Sequence, residues 1–420
     1  MTDNKVLFTK REFCVSEIVL LNVSGEDRPG LTAAITEVLS TFDVDILDVG
    51  QAVIHNHLSL GILINIPQGV SSIDDEVAVC ADELGVTAKL SPVDSASYED
   101  WVELHGRSRF ILTLLARKIK ADHIAQVSRV IAANGLNIDA IVRLSGRVPL
   151  VTEDDTVKAC VEFSLKGEPE DATAFRAQLM EVCGDQDIDI AVQEDSIFRR
   201  NRRLVAFDMD STLITTEVID ELAKLAGVGD KVLLVTERTM HGELDFQESL
   251  RERVGFLKGL PESTLQEVAK NLPLAEGVEH LFRTLNQLGY KTAILSGGFT
   301  YFADHLKKKL GIDYVHANKL EIVDGELTGH VHEPILDSAA KAHLLKDLAA
   351  QEDISLEQVI AVGDGANDLA MLATAGLGIA FHAKPIVKEN AKQSISTLGL
   401  DSILYLMGIR DRDASKLSQR

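Results

Sequence analysis

Little in these 420 residues is basic, aromatic or sulfur-bearing, and each shortage removes a class of function. Only 42 lysines and arginines stand against 65 aspartates and glutamates, a formal net charge of −23. Nucleic acid or an anionic membrane surface would be repelled by that balance, so neither is expected as a partner. The four cysteines, Cys14, Cys80, Cys160 and Cys183, are scattered without a CxxC pair, which argues against a zinc site and against a disulfide framework. None of the 12 histidines pairs with another at metal-ligand spacing on a helix, and His330 and His332 read as the polar face of a strand. No run approaches the roughly 18 apolar residues of a membrane span. The opening MTDNKVLFTKREF has no basic region followed by an apolar core, so a cytoplasmic protein is expected.

What remains is a globular chain: 45% hydrophobic and 25% charged residues exclude disorder, and the length suits two to four domains. From Ser16 the pattern is a strand (SEIVLLNV), a turn (SGEDRPG) and a helix (LTAAITEVLSTF). Two strands (DVDILDVGQAVI, LSLGILINI), a helix over Asp74 to Leu84 and a strand near Val86 to Leu90 come next. That order, β-α-β-β-α-β, is the ferredoxin-like arrangement. A second copy succeeds it: SRFILTLLAR, ADHIAQVSRVIAANG, LNIDAIVRL, VKACVEFSL, PEDATAFRAQLMEVCG and IDIAVQE. The period is too long for a solenoid, so two sequential domains are expected. The polar stretch 92–106, with the single Trp101, reads as a linker; the basic run IFRRNRR reads as a solvated face, and the polar end from Arg410 as a frayed tail.

The most informative stretch is LVAFDMDSTL, residues 204–213. Four apolar residues run into Asp208 and Asp210, the layout of a buried parallel strand that delivers acids from its C-terminal end, where open α/β sheets bind ligands. Two such carboxylates could share a hard cation such as Mg²⁺, or one could be a covalent nucleophile. A second apolar run, QVIAVG, ends in Asp364, Asn367 and Asp368, and a third, KTAIL, ends in Ser296, Gly297 and Gly298, small residues that let backbone N–H groups and a hydroxyl approach an anion. Between them lies Lys341, a candidate fixed cation. Carboxylates, small donors and a positive charge at strand ends are the parts needed for phosphoryl transfer. Taken singly, each is an ordinary loop or surface residue; their joint order carries the reading.

In order and spacing, DMDST at 208–212, SGG at 296–298, Lys341 and GDGAND at 363–368 resemble the four motifs of the haloacid dehalogenase superfamily of phosphatases, most closely its phosphoserine-hydrolysing branch. The resemblance implies a Rossmann-like parallel-sheet core over 203–409 with a small helical cap at about 216–275, an α/β fold preceded by the two βαββαβ domains at 14–92 and 107–195. It implies that Asp208 is the nucleophile, that Asp210 protonates the leaving oxygen, and that Asp208, Asp364 and the backbone carbonyl of Asp210 hold Mg²⁺. Asp368 is left between a role in the site and a helix-terminal charge. Ser296, Gly297, Lys341 and Asn367 would hold the phosphate. In the cap, Glu217 and Arg253 match the pattern for the ammonium and carboxylate of phosphoserine, with Met240 and Phe246 walling the pocket and Arg238 and Arg251 competing with Arg253.

The DRPG turn at 27–30 resembles the ligand loop of ACT domains, which bind amino acids and regulate attached enzymes. Gly30 is therefore a candidate contact for an effector such as serine, and a homodimer is implied. The second copy has ARKIKA at 116–121 in the matching place, without Pro-Gly, and a structural or dimerising role is expected of it. Two rivals stay open: a phosphatase of another small phosphomonoester or a phosphoprotein, and an amino-acid sensor whose phosphatase half is vestigial.

Overall fold

The computed structural model describes residues 17–103, 109–149 and 157–417, which divide between two compact units, one ending at Gly106 and the other starting at Arg107. The first unit runs β1 (Glu17–Glu26), α1 (Leu31–Ser40), β2 (Asp45–Ile54), β3 (His57–Ile66), α2 (Ile73–Leu84), β4 (Thr87–Val93) and α3 (Ser95–Glu103). Its antiparallel sheet has the order β2-β3-β1-β4. Alternation decides the buried face: Val19, Leu21 and Val23 of β1 point inward, against Leu31, Ile35 and Leu39 of α1 and Ile73, Val77 and Ala81 of α2, four residues apart on each helix. The stretch read as a linker is helical over α3. The Asp94 carboxylate accepts from the Ser97 N–H at its start (3.1 Å), and Tyr98 stacks on Trp101 one turn on.

The second unit begins with the same design: β5 (Arg109–Ala116), α4 (Ala121–Ala133), β6 (Asn137–Arg143), β7 (Ala159–Lys166), α5 (Ala172–Gln186) and β8 (Asp189–Glu194), with sheet order β6-β7-β5-β8. Both copies place a register shift at the same point of the sheet, between Ile46 and Asp48 in one and Ile138 and Ala140 in the other.

A six-stranded parallel sheet forms the rest of this unit. β9 (Leu204–Phe207) leads into four helices, α6 (Val218–Leu225), α7 (Gly229–Met240), α8 (Phe246–Gly255) and α9 (Glu262–Lys270), which form the cap. The α/β alternation resumes with α10 (Val278–Gln287), β10 (Lys291–Phe299), α11 (Thr300–Leu310) and β11 (Tyr314–Asn318), then a hairpin of β12 (Leu320–Val323) and β13 (Glu326–Val331). It ends with α12 (Ser338–Gln351), β14 (Val359–Gly363), α13 (Leu369–Thr374), β15 (Leu377–Phe381), α14 (Pro385–Asn390), β16 (Gln393–Ile395), α15 (Ile403–Leu406) and α16 (Asp411–Leu417). The sheet order is β11-β10-β9-β14-β15-β16. The chain therefore winds to one side of β9 and then to the other, and the switch point falls at the C-terminal end of β9, where such sheets open a crevice. β9 is buried on both faces, as its unbroken apolar run requires.

The second βαββαβ domain is continuous with this core. The Gln393 amide of β16 accepts from the Val192 N–H of β8 (2.9 Å) and returns a bond to the Val192 carbonyl (2.5 Å), so one side chain stands in for a ladder between two sheet edges. Arg199 and Arg202 of the basic run are 2% and 7% exposed rather than solvated. Arg199 pairs with Glu162 of β7, and Arg202 donates to the Glu357 carbonyl. Two guanidinium groups that satisfy acceptors on both sides of the seam explain why cations are tolerated there. The region read as a frayed tail is also held in place: Asp411 accepts from the Gly146 N–H (2.6 Å) and from the Tyr405 hydroxyl (2.7 Å). Among the described residues no helix is long and apolar enough to cross a membrane.

Candidate active site

Beyond β9 the chain leaves the sheet with its acids pointing into the crevice. The Asp208 N–H donates to the Val362 carbonyl (2.9 Å), which continues the ladder one residue past the strand and holds the carboxylate at the sheet's centre. Ser211 takes a left-handed conformation (φ 57°), and this turns the chain so that its hydroxyl donates to Glu217 (3.1 Å) while the next residue, Thr212, donates to Asp364 (3.1 Å). Lys341 sits in the first turn of α12, which Asp337 caps by accepting from the Ala340 N–H (3.0 Å). Its ammonium lies 2.9 Å from Asp208 Oδ1 and 2.7 Å from Asp368 Oδ1.

Lys341 is therefore fully buried, the reverse of a surface lysine. Burial opposes its charge, but Asp208 and Asp368 outweigh burial and hold its pKa above the ordinary value. Asp368 has a place in the site: one oxygen takes Lys341 and the other accepts from the Gly365 N–H (3.0 Å). Burial first, then Asp208, pushes its pKa up to about 6 against the pull of Lys341. Asp364 is pushed up to about 8 by burial, Asp208 and Asp368.

Asp208, Asp364 and Asp368 bring carboxylate oxygens within 4.8 Å of one another. Five acids, counting Asp210 and Glu217, meet two cations, Lys341 and Arg253, so the cluster is short of positive charge. Crowded hard oxygen donors, with the pKa values of Asp364 and Asp368 raised, are what a divalent cation would relieve, and the residues fit such an ion. Asp368, with both oxygens engaged, is better placed to hold Lys341 than to ligate.

Asp210 accepts from the Val218 N–H (3.3 Å), and burial, Glu217 and Asp208 raise its pKa well above the carboxylate range. A carboxyl that holds its proton more tightly than an ordinary one is suited to pass it to a leaving group. Opposite it, Ser296 is 1% exposed and its hydroxyl accepts from the Gly298 N–H (3.0 Å). A Cβ on Gly298 would stand 2.6 Å from Asp210 Oδ2 and 2.7 Å from the Met209 methyl, so only glycine fits. A Cβ on Gly297 would stand 2.9 Å from the Phe246 ring, which shows the cap residue packed over the 296–298 loop.

Across the crevice, Glu217 is solvent-exposed as a residue, and the protein packed around its carboxylate and the charge of Asp208 raise its pKa. Arg253 of α8 is partly buried and faces Glu217, Asp220 and Asp210. Its competitors are occupied: Arg238 pairs with Glu243 and Glu252, and Arg251 with Glu333. Asn367 stands beside Asp368 in the turn after β14. Met240 ends α7, and its side chain lies outside the described residues. Gly30 lies in the first unit at the start of α1 with φ 95°, a conformation that explains the glycine without any ligand. At the matching place of the second domain Lys120 is extended, so the two turns differ.

Sequence reasoning missed Asn318. It donates to the Gly297 carbonyl (2.8 Å) and accepts from the Leu336 N–H (2.7 Å), tying the 296–298 loop to the segment that leads into α12. It missed Gln247 too, whose amide crosses from the cap to Asp337 (3.0 Å) at the cap of the lysine-bearing helix. Both join residues far apart in sequence, and no local pattern marks them.

The model of haloacid dehalogenase-like hydrolases matches residues 202–376, and two ACT domain models match residues 17–91 and 108–193. The phosphoserine phosphatase SerB2 of Mycobacterium tuberculosis is 40% identical over 394 residues, 93% of each chain. A phosphoserine phosphatase of Streptomyces coelicolor is 39% identical over 391 residues, 93% of this chain and 92% of its own. Among solved structures, a probable phosphoserine phosphatase of Vibrio cholerae in unliganded form superposes with a TM-score of 0.57 at 36% identity, covering 75% of this chain and 89% of that one. With the acids, the buried lysine and the capped crevice in these places, the chain belongs to the phosphoserine phosphatase family of haloacid dehalogenase-like hydrolases and carries two ACT domains ahead of its catalytic core.

Proposed function

We propose that this chain hydrolyses O-phospho-L-serine to L-serine and phosphate, with Asp208 as the nucleophile. The observation that carries the reading is the pairing of Asp208, in contact with the buried Lys341 ammonium (2.9 Å), with Asp210, whose pKa is raised well above its ordinary value by burial, Glu217 and Asp208. Asp208 attacks phosphorus in line, the Asp208–phosphorus bond forms as the phosphorus–oxygen bond to serine breaks, and Asp210 gives its proton to the departing oxygen. The same Asp210, now ionised, takes a proton from the water that cleaves the aspartyl phosphate. Ser296, the Gly297 amide and Asn367 hold the phosphoryl oxygens, and Lys341 offsets the charge that develops on them. Asp208 and Asp364, with the backbone carbonyl of Asp210, would hold Mg²⁺, which when bound neutralises phosphate charge and the crowded acids alike.

In the cap, Glu217 receives the substrate ammonium and Arg253 its carboxylate, with Met240 and Phe246 as walls. Arg253 supports this role because it faces the crevice while Arg238 and Arg251 are engaged by other acids. Serine is the effector we assign to the Gly30 turn, and a homodimer is the assembly; the exposed Ile46, Val49 and Ile54 on edge strand β2 support a second copy as a partner. Cys80, Cys160 and Cys183 are free thiols, in keeping with a reducing cytoplasmic compartment.

The test is phosphate release from O-phospho-L-serine and from phosphoethanolamine, which lacks the carboxylate, with Mg²⁺ and with EDTA. Metal-dependent turnover that disappears in Asp208→Asn is expected, and Arg253→Ala should lower kcat/KM for phosphoserine about a hundredfold while sparing phosphoethanolamine, as loss of a charge-assisted pair predicts. Equal losses on both esters would refute the assignment of Arg253. No turnover of any ester would leave an amino-acid sensor.

A further inference from the structure

Where the second ACT domain meets the catalytic core, α5 and β8 on one side and α14 and β16 on the other enclose a cavity of about 960 Å³. That volume lies at the upper end of the range that takes a drug-sized molecule, roughly 300 to 1,000 Å³. Its lining combines apolar and charged side chains. Phe175, Leu179 and Ile188 form an apolar wall that is part of the domain's own core, with Met180 half-exposed at the rim.

The charged lining comes from both domains. Lys120 and Arg176 of the ACT domain and Lys388 and Lys392 of the core line the cavity with Glu168, Asp187 and Asp189, four cations to three acids, in a chain whose overall balance is 42 to 65, and Arg176 also donates to the Ala391 carbonyl. Of the acids, Asp189 is already committed: one of its oxygens accepts from the Ser396 N–H (2.8 Å) and the Thr397 N–H (2.7 Å). Ser396 also lines the cavity, and its hydroxyl oxygen is buried without a hydrogen-bond partner among the described residues. None of these residues belongs to the site around Asp208.

We infer that this seam is a binding site for an organic anion with an apolar body, of which a medium-chain carboxylate is the simplest form. The apolar part lies along Phe175, Leu179 and Met180, and the carboxylate meets Arg176, Lys388 and Lys392. A cation of the same shape meets an excess of like charge, and a neutral alcohol leaves the lysines and Arg176 unanswered. The occupant touches both domains, so it stabilises a seam that Gln393 and Val192 already bridge.

The experiment uses the full chain and three probes below their micellar concentrations: decanoate, 1-decanol and decyltrimethylammonium. Calorimetric titration is expected to give one decanoate per chain, bound at least tenfold more tightly than decanol, with no binding of the cation and a rise in Tm with decanoate alone. Lys388→Glu with Lys392→Glu should weaken decanoate at least tenfold while phosphate release stays unchanged. If that double variant does not fold, Lys388→Gln with Lys392→Gln serves, with a smaller loss of the same sign. Equal binding of the three probes, no binding of decanoate, or unchanged decanoate affinity in the folded double variant would each overturn the inference.

Discussion

Replacing Lys341 by methionine keeps most of the side chain's volume and removes its charge, which strands the acids around it. The ammonium is the shared partner of Asp208 and Asp368, at 2.9 and 2.7 Å, in a place 0% exposed. Without it two buried carboxylates face each other uncompensated, and breaking a buried pair from one side costs about 3 to 5 kcal/mol. With a urea m-value of about 3 kcal/mol per molar, the midpoint of the catalytic unit falls by about 1 to 1.7 M. The assay is urea unfolding in EDTA, so that no cation takes the lysine's place. Adding Asp368→Asn to Lys341→Met neutralises one of the two stranded carboxylates and should recover roughly half of the lost stability. Activity should not recover. In the proposed mechanism the lysine also offsets phosphate charge, and loss of one such preorganised charge lowers kcat by about a hundredfold or more. A midpoint shift below about 0.3 M, or a double variant no more stable than the single one, would refute the argument that Lys341 is held chiefly by these two acids.

Gly298→Ala places a methyl group 2.6 Å from Asp210 Oδ2, so the Asp210 carboxyl must shift; kcat should fall about a hundredfold with little change in folding midpoint, measured by phosphate release and urea unfolding together. Removing the metal should matter for stability as well as turnover: EDTA is expected to lower Tm and Mg²⁺ to raise it in the wild type, with a much smaller response in Asp208→Asn/Asp364→Asn, which no longer crowds charge. For Asp189, burial raises the folded pKa above its unfolded value of about 3.9. The ionised form is thus the costlier one in the fold, and wild type loses stability on this account as pH rises from about 4 through the raised pKa. Asp189→Asn, which keeps an acceptor for the Ser396 and Thr397 N–H groups, should gain stability relative to wild type between pH 4 and 7; a constant difference across that range would contradict the assignment.

The order of strands and helices comes from local rules, because period-2 and period-3.6 patterns are written in neighbouring residues. So are the acids at the end of β9 and β14 and the small residues at 296–298, since a strand that ends in Asp or Gly announces its own C-terminus. What these patterns left out is set by contacts between distant segments. Taken singly Lys341 looks like any helical lysine, and only when α12 is docked against α13 and β10 does its ammonium lie between Asp208 and Asp368. Arg253 differs from Arg238 and Arg251 only by which acids the folded cap brings near each of them. The basic run near Arg199 reads as solvated because its partners, Glu162 and the Glu357 carbonyl, lie 37 and 155 residues away. The charged cavity beside α5 has no signature at all in the chain, for its two walls come from domains that meet only on folding. Sequence alone thus determined the fold class and the chemistry at the strand ends, because hydrophobic period and residue type are local. Tertiary structure decided which charges are buried, which are paired and which face the crevice, because those depend on distances that only a folded chain defines.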